Sequence, residues 1–188
     1  MESGVHLLIG RINSGKTHTI AHLLREANPR NAIIVSWCNY TIEFYKRNFS
    51  QYDISDNISA LANVSDNSVV ILDEFDCTER QWYYNKYINQ LFKTAKHRGI
   101  CFYLTMPYPI GIPPWIRRYF DSVSIYRESY KGNIRVLFEF YGNIICGTLE
   151  EFSHLMNKTF NNTDSWYIIS YIHLFLKSES YTLVRIKR

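Results

Sequence analysis

Short apolar runs alternate with helix-period segments over the first two thirds of the chain. Val5-His6-Leu7-Leu8-Ile9 stops at Gly10 and suits a buried parallel strand. Residues 10–17 read as a loop, and His18 to Leu24 as a helix closed near Asn28-Pro29. Ala32 to Trp37 is a second strand, followed by a helix from Thr41 to Asn48 with Ile42, Tyr45 and Phe49 on one side. The polar stretch from Ser50 to Asn67 holds at most a short helix at Ile58–Leu61. Ser68 to Leu72 is a third strand and delivers Asp73 at its end. Between Arg80 and His97, the spacing of Tyr84, Ile88, Leu91, Phe92 and Ala95 predicts an amphipathic helix. Gly99 ends it, and Ile100 to Leu104 is a fourth strand. A proline-rich loop leads through a helical turn at Trp115–Phe120 to a fifth strand, Asp121–Tyr126.

Strands alternating with helices predict an α/β fold, a mostly parallel central sheet flanked by helices. After residue 127 the pattern changes. Asn133 to Tyr141 alternates like an edge strand, Thr148 to Phe160 suits a helix, and Trp166–Leu176 and Tyr181–Ile186 are β-like. These are expected as antiparallel additions to the same sheet. The organisation is then a single domain over 1–188, with a core at 1–127 and a C-terminal sheet extension at 128–188. A chain of 188 residues is long enough for one self-sufficient hydrophobic core.

Composition narrows the class only a little. With 46% hydrophobic and 20% charged residues, the chain is neither a disordered tail nor a coiled coil. A net charge of +4 permits an acidic partner without demanding one. Cys38, Cys77, Cys101 and Cys146 form no CxxC pair, so reduced thiols in an intracellular compartment are expected. No apolar run approaches the roughly 20 residues of a membrane span, and no secretory signal opens the sequence, so a soluble protein is expected.

The chemistry is concentrated in three segments. Gly10-Arg11-Ile12-Asn13-Ser14-Gly15-Lys16-Thr17 fits G-x-x-x-x-G-K-[ST], the phosphate-binding P-loop or Walker A motif. Its glycines let backbone N–H groups converge on phosphate oxygens, and the following helix adds its positive dipole end. Gly10, Asn13, Ser14, Gly15, Lys16, Thr17 and His18 are therefore the candidate nucleotide-binding residues, with ATP and Mg²⁺ as the expected cofactors. Lys16 faces the β- and γ-phosphates and Thr17 joins the Mg²⁺ shell. Val69-Val70-Ile71-Leu72-Asp73-Glu74 reads as Walker B: Asp73 would hold Mg²⁺, and Glu74 would polarise a water for attack on the γ-phosphate. In the third segment, Lys96-His97-Arg98 ends a helix and Thr105 ends the next strand. Cations suit a helix C-terminus through its dipole alone. In ring ATPases such a residue can also act as a finger on a neighbour's γ-phosphate, which would give Arg98 and Thr105 finger and sensor roles.

The run from the P-loop through Val69–Glu74 to Lys96–Thr105 resembles the viral genome-packaging ATPases of the FtsK/HerA superfamily, of the kind found in large DNA viruses and membrane-containing tailless viruses. Ile112-Pro113-Pro114-Trp115-Ile116-Arg117-Arg118 is similar to that family's stretch after the sensor strand, and Leu149-Glu150-Glu151-Phe152 and the closing β segments also look family-like. The resemblance implies a Mg²⁺-dependent ATPase that drives double-stranded DNA into a preformed capsid. It would work as a homo-oligomeric ring, a pentamer or hexamer. A capsid vertex or a membrane-associated virion protein would be its docking partner, in the virion or the host cytoplasm's viral factory. Two positions depart from the family pattern. Met106 follows Thr105 where the family has glutamine, and Lys96 stands where its arginine usually lies, so the finger stays open among Lys96, Arg98, Arg117 and Arg118.

Contacts to DNA would be to phosphates and independent of sequence, with Lys46, Arg47, Arg80, Lys86, Lys93, Arg117, Arg118, Lys131 and Arg135 as candidates. Other readings are a cellular or plasmid FtsK/HerA-like translocase, a nucleoside or nucleotide kinase, and a non-hydrolysing nucleotide switch. The Asp73-Glu74 pair argues against the kinase, whose nucleophile is its substrate's hydroxyl.

Overall fold

The structure is a computed structural model that describes residues 2–74, 82–108, 110–160, 165–170 and 182–187. Its strands are β1 (Gly4–Ile9), β2 (Ala32–Ser36), β3 (Asp53–Ser55), β4 (Val69–Asp73), β5 (Cys101–Met106), β6 (Ser122–Ile125), β7 (Ser165–Ser170) and β8 (Thr182–Lys187). Its helices are α1 (Lys16–Ala27), α2 (Asn39–Asn48), α3 (Lys86–Thr94), α4 (Pro114–Arg117), α5 (Lys131–Phe140) and α6 (Leu149–Phe160).

Six strands form one sheet in the order β3-β2-β4-β5-β1-β6, and every pairing in it is parallel. Strand β5 therefore separates the strand that leads into the P-loop from the strand that carries the paired acids. Every residue of β4 and of β5 is buried, as a strand covered on both faces requires. Alternation then sorts their side chains between two cores. Leu7, Ile9, Val70, Leu72, Phe102 and Leu104 pack on one face with Ile88, Leu91 and Phe92 of α3. Leu8, Val69, Ile71, Cys101 and Tyr103 pack on the other with Ile20 and Leu24 of α1 and Tyr45 of α2.

The structure corrects several expectations. Residues 133–141 do not form an edge strand but lie in α5 and the turn that ends it. The even-numbered apolar residues Ile134, Val136, Phe138 and Phe140 mimic a strand. Burial of Ile134, Leu137 and Tyr141 instead follows a spacing of three and four, and one helix face docks on the core. The last two strands are antiparallel as expected but pair with each other in a separate two-stranded sheet, β7 running alongside β6. Residues 171–176 and Tyr181, expected to extend them, lie outside the described residues. Helix α1 starts at Lys16, so Lys16 and Thr17 lie in its first turn. Helix α3 starts at Lys86, because the Asn85 side chain accepts the N–H groups of Tyr87 and Ile88; a 3₁₀ turn at Trp82–Tyr84 precedes it. The short β3, hidden in a polar stretch, pairs with β2 at the sheet edge. Among the described residues no helix is long and apolar enough to cross a membrane.

Candidate nucleotide site

All six parallel strands point their C-terminal ends the same way, and the site is built at the ends of β1, β4 and β5. The chain leaves β1 at Ile9, turns through Asn13 (φ 63°) and Gly15 (φ 97°), and enters α1 at Lys16. Gly15 occupies the N-cap and no side chain caps this helix end, so its first-turn N–H groups face the loop. Gly10 has no room for a side chain: a Cβ there would lie 2.3 Å from Cβ of Tyr126, just past β6.

Lys16 is buried, and its Nζ donates to the carbonyls of Gly10 at 2.6 Å and Arg11 at 3.0 Å. Burial lowers its pKa, while the charges of Asp73 and Glu74 pull it back up. It thus stands as a cation held inside the loop and facing two carboxylates.

Asp73 is fully buried at the end of β4 and gathers hydroxyl donors from three elements. Thr105 Oγ1 of β5 donates to its Oδ1 at 2.6 Å, and Tyr45 of α2 donates to its Oδ2 at 2.8 Å. The Thr17 hydroxyl of α1 also faces it. Burial raises the Asp73 pKa, and the three hydroxyls oppose that rise. The same burial, together with Asp73, pushes the Tyr45 phenol well above its ordinary value, so Tyr45 acts here as a donor.

The Thr17 hydroxyl and Asp73 carboxylate together fit Mg²⁺, which is usually held by one or two protein oxygens and completes its shell with water and phosphate. Among the described residues no cluster of three or more His, Cys, Asp or Glu suggests any other kind of metal site.

Glu74, the residue after β4, adopts a left-handed backbone (φ 53°). Its N–H donates to Thr105 Oγ1 at 2.7 Å and to Asp73 Oδ1 at 3.0 Å, and its Oε2 accepts from Thr41 Oγ1 at 2.8 Å. Glu74, Lys16, Thr17, Asn13, His18 and Thr41 line a cleft of about 470 Å³. A second cleft of about 590 Å³, bordered by Arg11, Tyr108 and Tyr130, lies on the β6 side of the same loop.

The structure therefore brings together Lys16, Thr17, Asp73, Glu74 and Thr105, drawn from three separated sequence segments. Arg98 lies elsewhere, in the turn before β5 and so at the opposite, N-terminal end of the parallel strands. Its Nε pairs with Asp66 at 2.7 Å and its guanidinium also donates to the Val64 carbonyl. Lys96 pairs with Asp121 at 3.1 Å. Arg117 lies over the Phe140 ring at 3.6 Å and Arg118 over Tyr119 at 5.5 Å. Of the other candidate DNA contacts, Arg47 reaches Glu43 at 3.9 Å and Lys86 lies over Tyr87 at 4.8 Å, while Arg80 is outside the described residues. Met106, which follows Thr105, is completely buried in the core.

Sequence reasoning missed Thr41 and Tyr45 as site residues. Tyr45 looked like ordinary core, and no motif marks either. A usable signal exists in their spacing: four residues apart, they share one face of the helix that follows β2, the strand paired with β4.

A parallel α/β sheet with a glycine-rich loop between β1 and α1, and paired acids at the end of a strand one position removed, is the P-loop NTPase fold. Solved structures agree. The crystal structure of B204, the DNA-packaging ATPase from Sulfolobus turreted icosahedral virus, superposes with a TM-score of 0.63 at 15% identity, over 89% of this chain and 92% of that one. The genome packaging NTPase B204 of Sulfolobus turreted icosahedral virus 2, in complex with ATP-gammaS, gives 0.61 at 15% identity, over 96% and 95%. EssC ATPases 2 and 3 from Geobacillus thermodenitrificans give 0.56 at 16% identity, over 74% of this chain and 34% of that one. In sequence, uncharacterized protein 075L of Invertebrate iridescent virus 6 is 28% identical over 156 residues. That match takes in 74% of this chain but only 60% of the viral protein's length. No family model matches the chain.

Proposed function

We propose that the protein is an ATP-hydrolysing motor that packages viral double-stranded DNA into a preformed capsid. The observation that carries hydrolysis is the pairing of Asp73 and Glu74 at the end of β4, with Glu74 lining the same cleft as Lys16 and Thr17. In this reading the N–H groups of the loop and Lys16 bind the phosphates, and Thr17 and Asp73 hold Mg²⁺. Bound there, the cation would supply charge neutralisation of the phosphates. Glu74 takes the proton from the attacking water, and Thr105 fixes the two acids relative to each other.

Packaging as the biological role is supported by fold similarity to B204, whose two viral forms are described as a packaging ATPase and NTPase, and by the iridescent-virus relative. The partners proposed with it are DNA bound through phosphates, further copies of this chain in a ring, and a capsid vertex or membrane-associated virion protein. One domain over the whole chain and a location in the virion or viral factory complete the proposal.

The test is phosphate release from ATP with no phosphoacceptor present, with and without Mg²⁺ and duplex DNA. Hydrolysis that needs the cation and rises with DNA of any sequence is the expected result. Turnover only when a nucleoside or nucleotide acceptor is supplied would identify a kinase instead.

A further inference from the structure

Glu74 is held from two sides. On the β5 side its backbone N–H is fixed by Thr105 and Asp73; on the α2 side its carboxylate is fixed by Thr41. A left-handed backbone at a residue other than glycine persists only where its surroundings over-determine it, and these bonds do so. Thr41 itself is buried in the first turn of α2. A helical threonine commonly returns its hydroxyl to the carbonyl four residues back. Thr41 instead donates across the cleft. One turn on, Tyr45 donates to Asp73, so a single face of α2 supplies one hydroxyl to each of the two consecutive acids.

We propose that Thr41 is a positioning residue for Glu74, orienting its carboxylate toward the water that attacks the nucleotide. The inference rests on the hydrolytic reading of the site. A general base must present one oxygen to the proton it removes. By occupying Oε2, the Thr41 hydroxyl fixes the carboxylate plane and leaves Oε1 for the water. Thr41 touches neither the phosphate nor the water in this scheme, and it acts only through Glu74.

The test compares ATP turnover by wild type, Thr41→Val, Thr41→Ser, Glu74→Gln and the double variant Thr41→Val/Glu74→Gln, with thermal midpoints measured alongside. Valine keeps the threonine shape without the donor, and a hydrogen bond to a charged group corresponds to about 10- to 100-fold in rate. Thr41→Val should therefore lower kcat by about that factor with KM within about twofold of wild type. Serine should restore most of the rate. In the Glu74→Gln background, adding Thr41→Val should cost nothing further, because the residue through which it acts is already disabled. Thr41→Val turning over as fast as or faster than wild type would overturn the proposal. So would a loss of the same size in both backgrounds. A wild-type protein that hydrolyses no ATP would instead remove the hydrolytic reading, and this inference with it.

Discussion

Thr105 Oγ1 lies 2.6 Å from Asp73 Oδ1 and 2.7 Å from the Glu74 backbone nitrogen, donating to the first and accepting from the second. One hydroxyl at the end of β5 thus ties together both acids of the neighbouring strand. Thr105→Val removes the donor from a buried carboxylate and the acceptor from a backbone N–H. A loss of about 1–3 kcal/mol in unfolding free energy is expected, together with slower hydrolysis. Thr105→Ser should restore both. Chemical denaturation alongside phosphate release checks this, and a valine variant as stable and active as wild type would contradict the bridging role.

His6 provides a pH test away from the nucleotide. Its ring is largely buried in β1, stacks on Tyr103 at 4.8 Å and shares a 2.7 Å hydrogen bond with Ser122. Burial is the largest influence and lowers its pKa below 6.5, against the Glu2 carbonyl and the charges of Asp121 and Glu2, with Lys96 acting in the same direction as burial. The unfolded chain therefore takes up the proton first. The stability due to neutral His6 is complete above its ordinary value and is lost as pH falls through the depressed one. Denaturation midpoints of wild type should fall as the pH drops below about 6.5, and those of His6→Gln should fall less. Equal slopes would assign the acid sensitivity to other groups.

Arg98 separates a ring motor from a lone enzyme. Within its own subunit it clasps the loop before β4 through Asp66 and Val64. Its ion pair is partly exposed and worth at most about 1 kcal/mol, so Arg98→Ala should fold and bind ATP. If the residue also serves a neighbour's γ-phosphate, hydrolysis should fall by roughly 10³–10⁵-fold and return on mixing with Lys16→Ala subunits. A stability loss with full activity would leave only the clasp, and the finger would then be sought by the same assay at Lys96, Arg117 and Arg118.

The parallel sheet and the loop chemistry were legible because each depends on local pattern. The strands at Val69–Asp73 and Cys101–Met106 are continuous apolar runs, and the P-loop spacing carries its own geometry. What escaped depends on contacts between distant segments. The alternation from Ile134 to Phe140 fits a strand as well as a helix until the position of the core selects Ile134, Leu137 and Tyr141. Thr41 and Tyr45 become site residues only because β2 lies beside β4, which sets α2 over the acids. Nothing in the sequence near residue 41 refers to residue 74.

The central place of β5 bears on how the chain is made. When a growing chain has reached residue 100, β1 and β4 have both been synthesised, yet in the finished sheet each pairs with the strand still to come. Two largely apolar strand edges must wait for residues 101–106 to fill the gap between them. Exposed edges of this kind are the surfaces that aggregate. A chain cut before Cys101 would keep an intact P-loop sequence and both acids, but have nothing to join them. Truncation there should give insoluble protein rather than a smaller nucleotide-binding unit, and heterologous production would depend on chaperones until the fifth strand of the sequence has emerged.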